Sequence, residues 1–295
     1  MKVHFAAFEN LTSAITLTKL AGIRYGLFSC FSYLAKKHGI QASAKGDPAA
    51  LIQYLEKALR HTIMDSGLFT LMFGAHAGKR DKRFMESWQQ SIIEFVRTNS
   101  YKGAVVEVDC QKVLGVDEAW TLRKELRNAL SNELINVYHA EDGNHGLDRL
   151  IEFSDYIAIS VPELRAMYVP QLAEYVKRQA AYIKNKKPDI RIHLLGCTEV
   201  RIMRQCTFCD SCDSTSWQQV NRYGNLEVIY DDRTVKITRS RAEQLTSGLD
   251  DDVKQALAEE GVSVKSPTGH TYLSSFVIAG LHLKLHYSKY AGEQS

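Results

Sequence analysis

The stretch of sequence that decides the fold contains four short apolar runs, AVVEVD at 104–109, LINVYH at 134–139, YIAIS at 156–160 and RIHLLG at 191–196. All four are rich in β-branched and aliphatic residues, as is typical of buried strands. The segments between them place apolar residues three and four positions apart, which predicts amphipathic helices. Strands that alternate with helices indicate a parallel sheet built from βα units.

The same alternation continues on both sides of this stretch. The further strand candidates are Lys2 to Phe8, His61 to Met64, a segment that ends near Asp213, and Leu226 to Tyr230. The helical patterns cover Asp47 to Leu59, Arg83 to Thr98, Val116 to Ser131, Leu147 to Phe153 and Val161 to Lys184. This series predicts an α/β protein with a (β/α)₈ barrel of the TIM type. A doubly wound sheet is the main alternative, but no glycine-rich phosphate-binding fingerprint follows the first strand.

The length and composition fit a globular protein with one large domain. The chain has 295 residues, of which 45% are hydrophobic and 24% are charged, and this excludes collagen-like, low-complexity and wholly disordered chains. Because no linker divides the sequence, we predict a barrel over residues 1–230. Residues 231–295 are predicted to be a small C-terminal appendage that completes the barrel or packs on it.

Charge and hydropathy give only broad limits on partners and location. The net charge of +3 is too small to indicate nucleic-acid binding by itself. The N-terminus lacks the pattern of a secretory signal, and no apolar run approaches the roughly 20 residues of a membrane-spanning helix. We therefore expect a cytoplasmic protein with no membrane partner. The oligomeric state is left open.

Three carboxylates follow predicted strands, at Asp65, Asp109 and Asp213. In a barrel of this type the carboxyl ends of the strands meet at one mouth, so these side chains are expected to lie near one another. Two carboxylates across a sugar can divide glycosyl transfer, one acting as nucleophile and the other as proton donor. A single Asp after a strand can also be a helix cap or turn former.

The motifs around these residues resemble a known family, the tRNA-guanine transglycosylases and, more closely, their phage DNA-modifying relatives of the DpdA type. Asp65-Ser66-Gly67-Leu68-Phe69 is similar to the family's Asp-Ser-Gly-Gly-(Tyr/Phe) element. The resemblance implies that Asp65 transfers a proton and that Phe69 stacks on the base. It extends over most of the predicted barrel, from about Met1 to Trp217.

Two further motifs resemble those that hold the base and the sugar. Leu194-Leu195-Gly196 is similar to a Leu-Met-Gly turn, which implies that Leu195 covers the second face of the base. The segment from Cys212 to Trp217 resembles the Asp-Ser-Thr-Ser-Trp signature of the phage enzymes, and this implies that Asp213 is the nucleophile.

The resemblance also implies a set of residues that recognise the base. Val108-Asp109-Cys110 resembles an Asp-Glu-Cys strand end, whose Asp accepts hydrogen bonds from guanine or a 7-deazaguanine. His139 lies where the tRNA enzymes carry a base-contacting Gln. Ser66 and Gly196, which belong to the motifs above, complete the expected base-binding set.

The function that the resemblance implies is base exchange. Guanine in DNA would be replaced by a 7-deazaguanine similar to preQ0, through a covalent bond between an Asp and the sugar. The expected partners are DNA and the free base, and no redox or nucleotide cofactor is implied. The alternatives are a transglycosylase that acts on tRNA, and a non-catalytic protein that binds nucleic acid or metal through its cysteine cluster.

That cluster consists of Cys206, Cys209 and Cys212. The tRNA enzymes bind a structural zinc through cysteines that follow the nucleophile, with a His about 26 residues on. Here the cysteines precede Asp213, and the first later His is His270, so the family's zinc pattern is absent. Thiolates suit zinc or iron–sulfur centres, but three small buried side chains are the favoured interpretation, and no metal is predicted.

Overall fold

A closed barrel of eight parallel strands forms the centre of the protein. We describe it from a computed structural model, in residues 1–20, 23–42, 46–73, 81–215, 226–230 and 233–237. The barrel strands are β1 (Lys2–Phe5), β2 (Tyr25–Ser29), β3 (His61–Asp65), β4 (Ala104–Val106), β5 (Leu134–Tyr138), β6 (Tyr156–Ser160), β7 (Arg191–Leu195) and β8 (Ser211–Ser214). They follow one another in chain order, and β8 pairs with β1. The predicted (β/α)₈ fold is confirmed.

Helices lie in every connection between consecutive barrel strands. They are α1 (Leu11–Leu20), α2 (Phe31–Leu34), α3 (Pro48–Ala58), α4 (Leu68–Phe73), α5 (Lys82–Thr98), α6 (Gln111–Leu114), α7 (Val116–Ala129), α8 (Gly143–Phe153), α9 (Val161–Ala166), α10 (Leu172–Lys186) and α11 (Val200–Gln205). Short 3₁₀ helices cover Ala35–His38 and Ala140–Asp142. Among the described residues, no helix is both long enough and apolar enough to span a membrane.

Two strand assignments differ from the sequence-based prediction. Tyr25–Ser29 was not predicted as a strand, because the run has no β-branched residue and contains a glycine, yet it pairs with β3 along its whole length. Leu226–Tyr230 (β9) was counted among the barrel strands. It instead pairs antiparallel with Arg233–Ile237 (β10) in a separate sheet of two strands. The appendage predicted beyond residue 230 otherwise lies outside the described residues.

The alternation of side chains along the strands divides the core into two layers. Outward residues such as Phe28, Met64 and Leu194 pack with the helices. An apolar cluster inside the barrel includes Leu27 and Val137. This packed interior closes the barrel below its mouth, so polar groups at the carboxyl ends of the strands form the open surface.

A buried ion pair fastens the outer face of the barrel to α7. Arg123 is 5% exposed and donates through Nε and Nη2 to the two carboxylate oxygens of Glu107, both at 2.6 Å. Glu107 also accepts from Asn136 Nδ2 at 2.7 Å and from the backbone N–H of Val137 at 2.8 Å. Each carboxylate oxygen therefore has two donors, as a buried charge requires.

We expect Arg123→Met to lower the free energy of unfolding by about 3–5 kcal/mol, because it leaves the Glu107 charge buried without its cation. Arg127→Met is the matched control, since Arg127 lies one turn later on α7 and makes an exposed ion pair with Asp155 at 3.6 Å. Its loss should cost less than about 1 kcal/mol. Urea unfolding of the two variants measures the difference, and equal costs would contradict the assigned role of Glu107.

Candidate active site

The structure brings two of the predicted carboxylates to the mouth of the barrel. Asp65 is the last residue of β3, and Asp213 lies near the carboxyl end of β8. Strands β1 and β2 lie between them, with His4 opposite Asp213 and Ser29 opposite Asp65. The two side chains are close enough that the charge of Asp213 contributes to raising the pKa of Asp65.

The environment of Asp65 favours its protonated form. Burial, together with the negative charges of Asp213 and Glu9, raises the pKa of Asp65 from 3.8 to about 6. Hydrogen bonds from the backbone N–H of Gly67 to Oδ2, at 2.9 Å, and from Ser29 limit this shift. Asp65 can therefore hold and release a proton near neutral pH, as a general acid must.

Asp213 is held in place through one of its two carboxylate oxygens. Its side chain is 9% exposed, and Oδ1 accepts from the backbone N–H of Gly196 at 2.8 Å. The same oxygen lies 3.0 Å from Nε2 of His193. Within the described part of the chain, Oδ2 has no hydrogen-bond partner. One oxygen is thus held in place, and the other is free to react.

Each of these carboxylates is held by a glycine in a left-handed conformation. Gly67 has φ +75°, and a Cβ there would lie 2.7 Å from the Cβ of Phe31. Gly196 has φ +63°, and a Cβ there would lie 2.6 Å from Cγ of Pro162. Both turns therefore need glycine for conformation and for space. This explains why glycine follows the strand in each of the two motifs.

Asp109 lies at the next part of the mouth, beside His139. Asp109 Oδ1 and His139 Nε2 are 2.5 Å apart, and the Asp109 side chain is 27% exposed. Burial raises the pKa of Asp109, while the hydrogen bond and charge of His139 act against this shift. Within the part of the chain that the structure describes, Asp109 Oδ2 has no hydrogen-bond partner. Asp109 can therefore accept a hydrogen bond from a ligand.

His139 lies between two carboxylates and is held as a cation. Its Nδ1 is 3.2 Å from Oε1 of Glu163, which in turn accepts from Lys112 Nζ at 3.0 Å. Burial lowers the pKa of His139, but the bonds to Asp109 and Glu163 outweigh this effect and raise it to about 10. Both ring nitrogens are therefore engaged by the protein. His139 orients Asp109 in this arrangement.

The same histidine belongs to a group with metal-ligand chemistry. His139, Glu141 and Glu163 each offer one ligand atom, and these atoms lie within 4.8 Å of one another. However, a metal at this position would have to displace the Asp109–His139–Glu163 bonds and compete with Lys112 for Glu163. We assign no metal to the group.

The other predicted base-binding residues lie around the same mouth or outside the described side chains. Ser66 is 2% exposed, and its carbonyl oxygen accepts from Trp88 Nε1 at 2.9 Å, which anchors the turn after β3. Leu195 ends β7, is partly buried and packs on the cluster inside the barrel. Phe69 lies in α4, but its side chain falls outside the described part, as does all of Trp217.

The cysteine cluster does not gather its three sulfurs at one point. All three side chains are buried and carry free thiols. Cys206 and Cys209 hydrogen-bond to each other, which lowers the pKa of Cys206 and raises that of Cys209. Cys212 lies on the outward face of β8, and the nearby Cys197 contributes to raising its pKa. This arrangement resembles packing of small side chains more than a ligand set.

Two acidic residues that act on the site through charge or hydrogen bonds were not predicted to be part of it. Glu9 follows β1, accepts from the backbone N–H of Ser29 at 3.1 Å, and raises the pKa of Asp65. Glu163 follows β6 and holds His139. The signal that could have found both is their position, since each is an acidic residue shortly after a barrel strand.

Comparisons with known proteins give distant similarities of structure. The chain is similar to QR15, described as an aldolase, with 14% identity, 73% of this chain and 90% of that chain covered, and a TM-score of 0.46. It is similar to a fructose-bisphosphate aldolase from Campylobacter jejuni with 12% identity, 75% of this chain and 73% of that chain covered, and a TM-score of 0.45. It is also similar to a monomeric dihydrodipicolinate synthase variant with 8% identity, 98% of this chain and 96% of that chain covered, and a TM-score of 0.45. No family model and no curated protein matches the chain. Function must therefore be inferred from the site itself.

Proposed function

We propose that the protein is an enzyme, a transglycosylase that exchanges guanine in DNA for a 7-deazaguanine such as preQ0. The observation that carries this proposal is the contrast between two carboxylates at one barrel mouth. Asp65 has a pKa near 6 and can carry a proton, while Asp213 accepts from the backbone N–H of Gly196 and lies within hydrogen-bond distance of His193. Two neighbouring carboxylates in such different environments indicate that one acts as the general acid and the other as the nucleophile.

In the first half of the reaction, Asp213 Oδ2 attacks C1′ of the nucleotide as the bond from C1′ to N9 breaks. The electron pair of that bond leaves with the guanine, and the proton of Asp65 neutralises it. The sugar is then held as an ester of Asp213. In the second half, Asp65 takes the N9 proton of the incoming 7-deazaguanine, N9 attacks C1′, and Asp213 leaves. Atoms and charges balance over the cycle, which follows ping-pong kinetics.

Asp109 is the proposed carboxylate that recognises the base. A guanine or 7-deazaguanine presents N–H donors along its amidine edge, and Asp109 has a free Oδ2 to accept from them. His139, with Glu163 and Lys112 behind it, keeps the other oxygen of Asp109 fixed. Leu195 and Phe69 would cover the two faces of the base in this arrangement.

We expect Asp109→Ala to raise the KM for the free base by about 10- to 100-fold, with a smaller change in kcat, because a hydrogen bond to a charged acceptor is lost. Steady-state exchange with labelled guanine at varied concentration measures both constants. Asp142→Ala is the control, since Asp142 follows the neighbouring strand β5 but accepts from Gln111 at 2.8 Å instead of facing a ligand. A fall in kcat with an unchanged KM would contradict the role of Asp109 in binding.

DNA is the proposed partner, and tRNA is the alternative outcome. A nucleotide must leave the duplex to bring C1′ to the mouth, at a cost of a few kcal/mol that phosphate contacts offset. Lys184, Lys186 and Lys187 do not suit this task, because they lie where α10 leads into β7, at the end of the barrel opposite the mouth. They pair there with Asp210, Asp148 and Asp155. Lys82 and Arg83, at the N-terminus of α5, lie on the side of the mouth.

The experiment that tests the proposal is exchange of labelled guanine or preQ0 by one preparation into single-stranded DNA, duplex DNA and tRNA. Incorporation is measured by nucleoside analysis after enzymatic digestion. Labelled nucleoside in the DNA supports the proposal, and label in tRNA alone favours the alternative substrate. If no nucleic acid acquires a label while the protein is folded, the transglycosylase assignment is wrong.

A further inference from the structure

The interior of the barrel is polar directly below Asp213. His193 on β7, Ser211 on β8 and Tyr156 on β6 are buried there, with exposed fractions of 0%, 1% and 3%. Buried polar side chains cost free energy unless they are hydrogen-bonded, so a group of three inside the barrel requires an explanation. The functional site described above uses only the bond from His193 to Asp213.

These side chains form one continuous chain of hydrogen bonds that ends on Asp213. The hydroxyl groups of Tyr156 and Ser211 are hydrogen-bonded to each other. Ser211 Oγ lies 2.6 Å from Nδ1 of His193, and His193 Nε2 lies 3.0 Å from Oδ1 of Asp213. The chain thus crosses from β6 to the reacting end of β8.

With a neutral ring and a charged Asp213, one arrangement of protons satisfies every donor and acceptor in the chain. Within the described residues, the hydroxyl group of Tyr156 has no other hydrogen-bond partner, so its proton is satisfied only if it donates to Ser211. Ser211 then has its own proton free to donate to Nδ1 of His193. Nδ1 therefore carries no proton, and Nε2 of the neutral ring donates to Asp213. For a neutral ring, the reverse direction leaves the Tyr156 proton without an acceptor and requires a protonated Asp213.

A second imidazole ring lies beside His193 in the barrel interior. The ring of His4 lies 6.1 Å away, centroid to centroid, and His4 Nε2 is 2.9 Å from Nδ1 of His61. Burial and the neighbouring rings of His193 and His61 lower the pKa of His4 well below its usual value. A positive charge on His193 would lie in the same poorly solvated interior as these rings. Among the described residues, Asp213 is the carboxylate that His193 contacts.

We propose that His193 is a positioning residue for Asp213, a neutral ring protonated at Nε2 that fixes Oδ1 and leaves Oδ2 to attack, with its tautomer set by Ser211 and Tyr156. The positioning of a nucleophile rests on the proposed function. The tautomer does not, because it follows from the hydrogen bonds alone. The hydrogen-bonded chain of Tyr156, Ser211 and His193 would fix the orientation of Asp213, as supporting hydrogen bonds do for other catalytic side chains.

The tautomer is tested on the full-length protein by ¹⁵N NMR of its histidine rings, with the His193 signals assigned by their absence from His193→Gln. We expect a protonated Nε2 and an unprotonated Nδ1 between pH 6 and 8, and a change in the Nδ1 signal in Ser211→Ala. A His193 ring protonated at Nδ1, or at both nitrogens, would overturn the proposal. This measurement needs no activity, so it stands even if the transglycosylase assignment fails.

The positioning role is tested by two substitutions, each of which places an amide nitrogen at the position of a different ring nitrogen of His193. The Gln amide nitrogen reaches the position of Nε2, and the Asn amide reaches only that of Nδ1. We expect His193→Gln to retain kcat within a few-fold, and His193→Asn to lose about 10- to 100-fold in kcat with little change in KM. His61→Gln, which changes a barrel histidine with no bond to Asp213, is the control. Equal losses in the Gln and Asn variants would indicate a merely structural role.

Discussion

Replacing Asp213 by Asn is expected to lower the rate of base exchange by about 10⁴-fold or more. The amide oxygen is a poor nucleophile, so the ester between protein and sugar cannot form, and the two-step pathway is lost as a whole. Exchange of labelled guanine measures the rate. Denaturing electrophoresis of the enzyme with DNA measures the covalent intermediate, which should form with the wild type and be absent with the variant.

The fold of Asp213→Asn should remain intact, because its side-chain oxygen can still accept from Gly196 and His193. Asp210→Asn is the matched control. Asp210 lies just before β8, at the opposite end of the barrel, where it accepts from Lys184 at 3.2 Å and from the backbone N–H of Ile192 at 2.9 Å. It should keep its exchange activity. Turnover by Asp213→Asn at a tenth of the wild-type rate would remove Asp213 as nucleophile.

The barrel could be predicted from sequence because its strands are local signals. Runs such as Tyr156–Ser160 are apolar throughout, since both faces of a parallel strand are covered in a barrel. Tyr25–Ser29 gave no such signal, and it is a strand because β1 and β3 lie on either side of it. Its place in the barrel is a property of the tertiary structure.

The positions of the carboxylates could be predicted, but their different environments could not. A strand end that carries Asp is visible in the sequence, and so Asp65, Asp109 and Asp213 were expected at one mouth. The pKa of Asp65 depends on burial and on charges from Asp213 and Glu9, which are distant in sequence. The assignment of acid and nucleophile rests on a resemblance and stays a proposal.

The same limit applies to His193 and His139. Both are single histidines in or next to a strand, a pattern that more often marks a hydrogen-bonded structural group than a ligand contact. Their roles depend on partners supplied by other strands, namely Ser211 for His193 and the two carboxylates on either side of His139. Single-sequence patterns contain no information about such pairings across the barrel.

Replacing Asp65 by Asn is expected to lower kcat by about 10²- to 10⁴-fold, because the amide cannot protonate the departing guanine. The geometry of Asp213 should be unaffected, so the covalent intermediate should still form, but slowly. Single-turnover release of guanine measures this step. A leaving group that needs no proton, such as a nucleotide with an acidic base analogue, should recover much of the lost rate in the variant. Failure of such a substrate to do so would contradict the role of Asp65 as the acid.

The pH dependence gives Asp65 a second and independent test. Its pKa is about 6 in the folded protein against 3.8 for an ordinary Asp, so the folded state keeps a proton that the unfolded state releases between these values. Stability from this group is therefore full below about pH 4 and is lost as the pH rises through 6, by about 1–3 kcal/mol. Asp65→Asn should remove this loss and be more stable than the wild type at pH 7 to 8.

In the wild type, kcat/KM should fall above pH 6, because the acid must be protonated before it reacts. Unfolding and kinetic profiles that show no inflection near pH 6 would mean that Asp65 is ionised throughout and cannot be the proton donor.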